Sequence, residues 1–410
     1  MSEKFIIANN YCREVFDGTH DTPKPSDHGY KLVTSKNIIG NKLDLNSAYL
    51  ISQEDYLAIN KRSKVSQFDV LFSMIGSVGN VYIEQRKNEE IDYSIKNIGV
   101  FSSKTEKEAY WLYYYLQSPY AQSFIKKFLN GAVQKFLLLQ TLRAFPILSP
   151  VENYESLISI LKNIDQKITL NNQINEELEA MAKTLYDYWF VQFDFPDQNG
   201  KPYKSSGGKM VYNPELKREI PEGWGVEKLG DISQYVSEKV GSSELNKENY
   251  VGTDNMIADM GGIELTTSIP KSGTSTKFSV GDILISNIRP YFKKIWLSDR
   301  TGGCSADVLC IRTNRIIYKE FVYATLARDD FFNYDVAGSK GSKMPRGDKK
   351  HIMEYPIVFE FEIADQFSKI VRPIYEAVHK NYNQNQELTK LRDWLLPMLM
   401  NGQVKVEDKT

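Results

Sequence analysis

IDQKITLNNQINEELEAMAKTL, residues 164–185, returns 210 positions later as IYEAVHKNYNQNQELTKLRDWL, residues 374–395. Ile164 falls on Ile374, Ile168 on Val378, Asn171 on Asn381, Asn175 on Asn385, Leu178 on Leu388 and Leu185 on Leu395. A pattern stated twice at a constant offset marks a chain built from two related units. Working outward, the same offset lays Phe145, Pro146 and Ile147 on Tyr355, Pro356 and Ile357, and Gly131 on Gly341. Further upstream, Asp69-Val70-Leu71-Phe72-Ser73 meets Asp282-Ile283-Leu284-Ile285-Ser286 at an offset of 213, and Val33 with Asn37 meets Val251 with Asn255 at 218. Small loop insertions produce such a drift. Two related surfaces suit a target with two related halves.

The quoted stretches read as long helices. Leu157, Leu161, Ile164, Ile168, Asn171, Asn175, Leu178, Ala182 and Leu185 alternate by three and four, the seam of a coiled coil. The second copy gives Phe367, Val371, Ile374, Val378, Asn381, Asn385, Leu388, Arg392 and Leu395. It has two flaws: Arg392 puts a charge in the seam, and Pro373 removes a backbone donor and is expected to kink the helix. Single amphipathic helices, each lying on its own globular part, would show the same stripe. The adjacent Asn layers favour mutual pairing, because a buried Asn fixes register and partner at a cost in stability. Ser149-Pro150-Val151-Glu152 has the form of the first helix start, with Ser as cap and Pro in the first turn.

Around these helices the chain reads as α+β twice over: two pseudo-repeated globular domains separated by two long antiparallel helices. Residues 1–150 form the first domain, with buried strands expected at Val70-Leu71-Phe72-Ser73-Met74-Ile75 and Val81-Tyr82-Ile83 and a helix over Glu106–Leu129. The central helix takes 151–193. Gly, Pro, Lys and Ser give 194–223 the composition of a connector. The second domain takes 224–361, with strands expected at 282–286, 294–297 and 308–311, and the distal helix takes 362–402, leaving a tail at 403–410.

Composition sets limits on function. With Lys and Arg at 51 against Asp and Glu at 52, the 410-residue chain cannot coat nucleic acid by bulk attraction, although a local basic patch remains open. Three cysteines, Cys12, Cys304 and Cys310, make neither a disulfide framework nor a metal spacing and read as reduced thiols. No stretch reads as a signal peptide or a membrane span, so the expected location is the cytoplasm. There is no GxxxxGK[ST] phosphate loop, no Asn/Asp-Pro-Pro-aromatic tetrad for methyl transfer, and His20, His28, His351 and His379 are too scattered for a metal cluster. Catalytic and metal residues are accordingly none.

Chemistry suited to DNA is present. Residues 338–350 carry Lys340, Lys343, Arg346, Lys349 and Lys350 against Asp348, among glycines and serines that allow close approach to a phosphate. Arg289, Lys293 and Lys294 flank Tyr291 and Phe292, a planar cation beside aromatics as base-edge readers often are. In the first copy the equivalent loop, 130–135, is less basic and contributes Lys135. Residues 17–24 group Thr19, His20, Thr22 and Lys24 with turn residues, and Lys36 and Asn37 complete the DNA-contacting candidates. Solvated loops would carry the same residue types.

Several of these stretches together resemble the specificity subunit of type I restriction-modification systems. They are the segment from Asp17 to Lys24, Leu32 to Ile38, Asp282 to Ser286, the run from Leu185 through Pro196 into Ile220–Ile232, and Leu395 to Val404. The resemblance covers almost the whole chain, and Tyr186–Asp231 is its most specific part. It implies two target-recognition domains, each reading one half of a bipartite double-stranded DNA site, held by two helices in an antiparallel coiled coil. It implies no catalysis and no cofactor in this subunit. Two methyltransferase subunits would dock on the helices and restriction subunits would add to that core, with S-adenosylmethionine, ATP and Mg2+ bound by those partners. Family members often open each helix with a Pro-rich turn and a Glu-Gln pair; the second copy here has Ile363-Ala364-Asp365-Gln366, so the helix starts can shift by a few residues. Two other readings stay open: a single-chain endonuclease or methyltransferase with an unfamiliar site, and a bivalent scaffold that binds protein instead of DNA.

Overall fold

The computed structural model describes residues 5–131, 134–151 and 154–400; Glu152 of the expected helix start and the tail 403–410 lie outside them. The chain divides into two compact units, residues 1–169 with 385–410, and residues 170–384. Both long helices, Tyr154–Tyr186 and Phe361–Met400, contribute to each unit.

The first unit is organised on a four-stranded antiparallel sheet in the order Glu14–Asp17, Ile98–Ser102, Val70–Ser73, Val81–Ile83. The second repeats it as Ser233–Tyr235, Val308–Thr313, Ile283–Ser286, Ile295–Leu297. Even the register repeats: Leu71 lies opposite Val100, and Leu284 opposite Cys310. Both central strands are buried along their whole length, which explains why they read as unbroken apolar runs. Beside each sheet runs a parallel pair, Tyr30–Thr34 with Tyr93–Lys96 and Tyr250–Val251 with Gly302–Cys304. Each unit also has an antiparallel pair that leads into a long helix, Phe5–Ile7 with Pro146–Leu148 and Gly225–Lys228 with Pro356–Phe359.

The helix expected over Glu106–Leu129 is two helices, Glu106–Gln117 and Pro119–Lys127. Ser118 stops the first, its side chain accepts from the Ala121 N–H, and Pro119 occupies the first turn of the second. The apolar periodicity continues across the break and hides it. Trp111, Tyr114 and Tyr115 carry the first helix into the core of the first unit with Leu157, Leu161, Leu396 and Met400.

Within the second unit the two long helices run antiparallel. Asn381 donates to Asn175 Oδ1 at 2.8 Å, Asn175 donates to the Val378 carbonyl at 3.3 Å, and Asn171 donates to Gln384 Oε1 at 2.9 Å. In the first unit, Arg392 meets Asp165 at 3.0 Å, and Tyr114 donates to the other Asp165 oxygen at 2.9 Å. The charge at the seam therefore has a counterion there. The helix Phe361–Met400 is continuous through Pro373, which is exposed. Along both seams, Ile164, Ile168, Asn171, Asn175, Leu178, Leu185, Ile374, Val378, Asn381, Asn385, Leu388 and Leu395 are buried or half-buried.

The central helix ends in a π turn over Asp187–Val191, closed by the Gln192 N–H on the Asp187 carbonyl at 2.9 Å. Trp189 and Phe190 in this turn, and Phe193 just beyond it, join Phe321, Phe359 and Phe367 in the core of the second unit. The segment 194–223, connector-like in composition, is ordered within the second unit. Phe195 stacks on Tyr203 and Trp224, and Met210–Asn213 pairs with Arg218–Pro221 as a hairpin.

Candidate nucleic-acid interface

In the second unit, two candidate segments that lie far apart in sequence form one surface. The Arg289 N–H donates to the Pro345 carbonyl at 2.8 Å, and Ile288 bridges to Arg346. Lys340 also bridges to Arg346, so the basic loop is a short closed ribbon and not a loose tether. Around it the backbone is strained. Arg289 and Lys293 adopt φ of 51° and 50° at the two ends of the turn Pro290–Phe292, and neighbouring Asp259 and Met260 adopt 52° and 64°. Each such residue costs about 1–3 kcal/mol, and a cluster of them marks a place where shape is held for function. The Asp259 and Met260 N–H groups donate to the Phe292 and Lys293 carbonyls at 2.9 Å and so hold the turn from outside. Tyr291 and Phe292 stand exposed at its tip.

The cations of this surface differ in availability. Lys340 pairs with Asp348 at 2.5 Å, Arg346 with Asp307 at 3.1 Å, and Lys293 with Asp329 at 2.6 Å. These are exposed pairs of the kind worth about 0–1 kcal/mol, easily exchanged for phosphate. Lys349 lies 5.8 Å from the centre of the Tyr235 ring. Lys343 and Lys350 are exposed and their side chains have no partner among the described residues. Lys294 is different, because its ammonium donates to the Thr253 carbonyl at 2.8 Å and serves the fold.

In the first unit, residues 17–24 and the loop after Asn130 converge on one cavity of about 560 Å3, lined among others by Asp17, His20, Arg62, Phe136, Leu138 and Gln140. Asp17 is buried and accepts from Arg62 at 2.9 Å and from His20 Nε2 at 3.0 Å, while His20 Nδ1 faces Asn97 Oδ1 at 2.8 Å. Thr19 forms a bridge with Lys96, and the Thr22 hydroxyl accepts from the Lys96 ammonium. Lys24, Lys36 and Lys135 are exposed. The loop itself has the same build as its counterpart: Phe136 bridges both Ile75 and Asn130, as Arg346 bridges Ile288 and Lys340.

Asn37, a candidate for DNA contact, has its side chain buried and engaged within the fold: Oδ1 accepts from the Thr34 N–H and hydroxyl at 2.7 and 2.9 Å, and Nδ2 donates to Ser47 at 3.0 Å. Asn255 does the same in the second unit, accepting from the Gly252 N–H at 2.7 Å and donating to the Glu264 carbonyl at 2.8 Å. The repeated Val and Asn pair is a turn lock following the parallel strand, conserved between the copies for architecture. Sequence reasoning also passed over Arg62, Asn97, Leu138 and Gln140. Gln140 was within reach, because the offset of 210 places it on Lys350.

A sequence model described as the type I restriction modification DNA specificity domain matches residues 13–180. The specificity subunit of the type I restriction enzyme MjaIX from Methanocaldococcus jannaschii is 26% identical over 318 residues, covering 73% of this chain and 69% of that one. That of HindI from Haemophilus influenzae is 24% identical over 313 residues, covering 62% and 67%. The chain is similar to the specificity subunits of type I restriction-modification systems. In fold it is similar to the crystal structure of such a subunit from M. genitalium, with a TM-score of 0.51 at 14% identity over 100% of this chain and 98% of that one. These similarities favour reading the chain as a DNA specificity subunit over a single-chain enzyme or a protein-only scaffold. No helix among its described residues is long and apolar enough to cross a membrane.

Proposed function

We infer that each domain, 1–150 and 224–361, reads one half of a bipartite duplex target. The observation that carries this is the duplicated loop: one ribbon, built on the same bridges in both units, presents its side chains beside a second candidate segment each time. In the second unit that surface gathers Arg289, Lys293, Lys340, Lys343, Arg346, Lys349 and Lys350 on a chain with no net basic excess. Localised charge of this kind supplies phosphate contacts, and the strained turn supplies a rigid reader. In the first unit Thr19, His20, Thr22, Lys24, Lys36 and Lys135 are the corresponding candidates, and His20 lines the cavity beside the ribbon. The two long helices offer the surface on which two methyltransferase subunits dock, and restriction subunits join that core. S-adenosylmethionine, ATP and Mg2+ belong to those partners, and the complex works in the cytoplasm.

The test is an exchange of residues 1–150 for those of a relative with a different target, followed by mapping of methylated sites across the host genome. One half of the methylated site should change and the other should stay. If both halves change together, the domains do not read independently and this reading fails.

A further inference from the structure

The two reading surfaces occupy equivalent positions but carry opposite chemistry. Position by position, Arg346 in the second unit replaces Phe136 in the first, Asp348 replaces Leu138, and Lys350 replaces Gln140 at the offset of 210; at 213, Arg289 replaces Gly76. The bridges Ile75 to Phe136 and Ile288 to Arg346 place the first of these pairs at the same point of the same ribbon. In the first unit, then, the side of the cavity formed by this ribbon is apolar with an exposed amide, facing Asp17, His20, Arg62 and Asn97 in the rest of the lining. Leu138 is 52% exposed and Phe136 half-buried, and the exposed Gln140 side chain has no hydrogen-bond partner among the described residues. The one guanidinium in that cavity, on Arg62, is committed to Asp17. In the second unit the equivalent ribbon brings together two arginines, Arg289, half-buried with its Nε buried and unpartnered on a left-handed backbone, and Arg346, exposed and held only by a pair with Asp307.

Base pairs differ in the major groove in a way that matches this split. A glutamine or asparagine amide pairs bidentately with the adenine N6 and N7 edge, and an exposed aliphatic group packs on the thymine methyl. An arginine pairs bidentately with guanine O6 and N7. Resting on the bipartite reading above, we propose that the first domain reads at least one A·T pair through Gln140 and Leu138. The second domain reads at least one G·C pair through Arg346 and Arg289. The two half-sites therefore differ at the positions this ribbon reads.

The experiment maps methylated sites in cells carrying the complete system with wild-type chain, Gln140→Ala, Leu138→Ala or Arg346→Ala. All three side chains are solvent-facing, so the fold should persist, and intact assembly is checked by co-purification with the methyltransferase subunits. Gln140→Ala and Leu138→Ala should each relax an A·T position in one half of the site by on the order of tenfold. Arg346→Ala should relax a G·C position in the other half by at least as much, since each good bidentate contact carries that order of discrimination. A bipartite site whose A·T positions are untouched by Gln140→Ala and Leu138→Ala, or whose relaxed position under Gln140→Ala is G·C, overturns the proposal and leaves the bipartite reading standing. A wild-type site that is not bipartite removes both.

Discussion

Asp69 and Asp282 begin the same strand in the two units and cap the same turn, accepting from the Ser66 and Ser279 N–H groups at 2.8 and 2.7 Å. Their counterions differ. Asp282 takes Arg312 directly, with Nε and an η nitrogen at 2.7 and 2.8 Å. The position equivalent to Arg312 in the first unit is Ser102, which accepts from Arg13 at 2.7 Å, so the cation is set back behind a hydroxyl. Without a direct partner, burial pushes the Asp69 carboxyl up to about 6 despite the hydrogen bonds to it. The copies have thus kept the geometry of the turn while exchanging the means of neutralising its charge. A second contrast runs the other way. The second unit buries Asp335 and Asn287 with the Asp335 carboxylate and the Asn287 side-chain Oδ1 unpartnered, where the first unit has Ile125 and Met74 at the matching offsets. Burial pushes Asp335 up to about 6 as well.

The largest test of this contrast is removal of the capping carboxylate from each unit. Asp282→Ala leaves Arg312 without its buried partner and should cost about 3 kcal/mol, the low end for a broken buried pair because Arg312 is partly exposed. Asp69→Ala should cost only about 1 kcal/mol, the loss of a cap already weakened by desolvation. Chemical denaturation followed by probes in each unit distinguishes them, and equal losses would mean the direct ion pair adds nothing.

Next in size, Asp335→Leu should stabilise the second unit by about 2 kcal/mol at neutral pH, because it removes a buried carboxylate with no partner and restores the apolar character of the first unit. The pH dependence fixes the sign. An acid whose folded pKa is raised holds a proton that the unfolded chain has already lost, so wild-type stability falls as pH rises from the ordinary carboxylate range through about 6. Asp335→Leu should flatten that fall in the second unit, and Asp69→Asn should flatten the equivalent fall in the first while keeping the cap. Melting curves at pH 4 to 7 that are unaltered by either change would show that these carboxyls are compensated.

Smaller effects should be common to both copies. Asn37→Ala and Asn255→Ala each remove a buried turn lock and should cost about 1–2 kcal/mol in their own unit. Methylation maps of either variant at permissive temperature should keep the wild-type site; an altered half-site with Asn37→Ala would restore that residue to DNA reading. Smallest is the contribution of single surface cations. Lys343→Ala should lower the salt slope of DNA binding by the assembled complex by about 1, and Lys340→Ala by less than that, because Lys340 also neutralises Asp348.

The duplication is fully readable in the sequence, since buried strands and seam positions must repeat when a core repeats. The strands 70–73 and 283–286 were recognisable because burial on both faces demands continuous β-branched and aromatic residues. The order in the 194–223 segment was not readable, because Gly, Pro and Ser report permitted turns and say nothing of whether Phe195 and Ile220 find a core to enter. The break at Ser118 was also missed: a helical period survives one capping residue, although the Ser-Pro pair was itself a signal.

For the candidate interface, sequence alone determined which residue types stand in each loop and that the second loop is basic where the first is not. Only the tertiary structure decided which of them are free. Asn37 and Lys294 look like DNA ligands in a linear reading, yet the fold spends their hydrogen bonds internally. Arg289 and Arg346, 57 residues apart, become one surface through backbone bonds between the two segments, the Arg289 N–H on the Pro345 carbonyl and the Ile288–Arg346 bridge. The physical reason is general: composition and period record what each residue prefers locally, whereas availability for a partner depends on which donors and acceptors the folded chain has already satisfied.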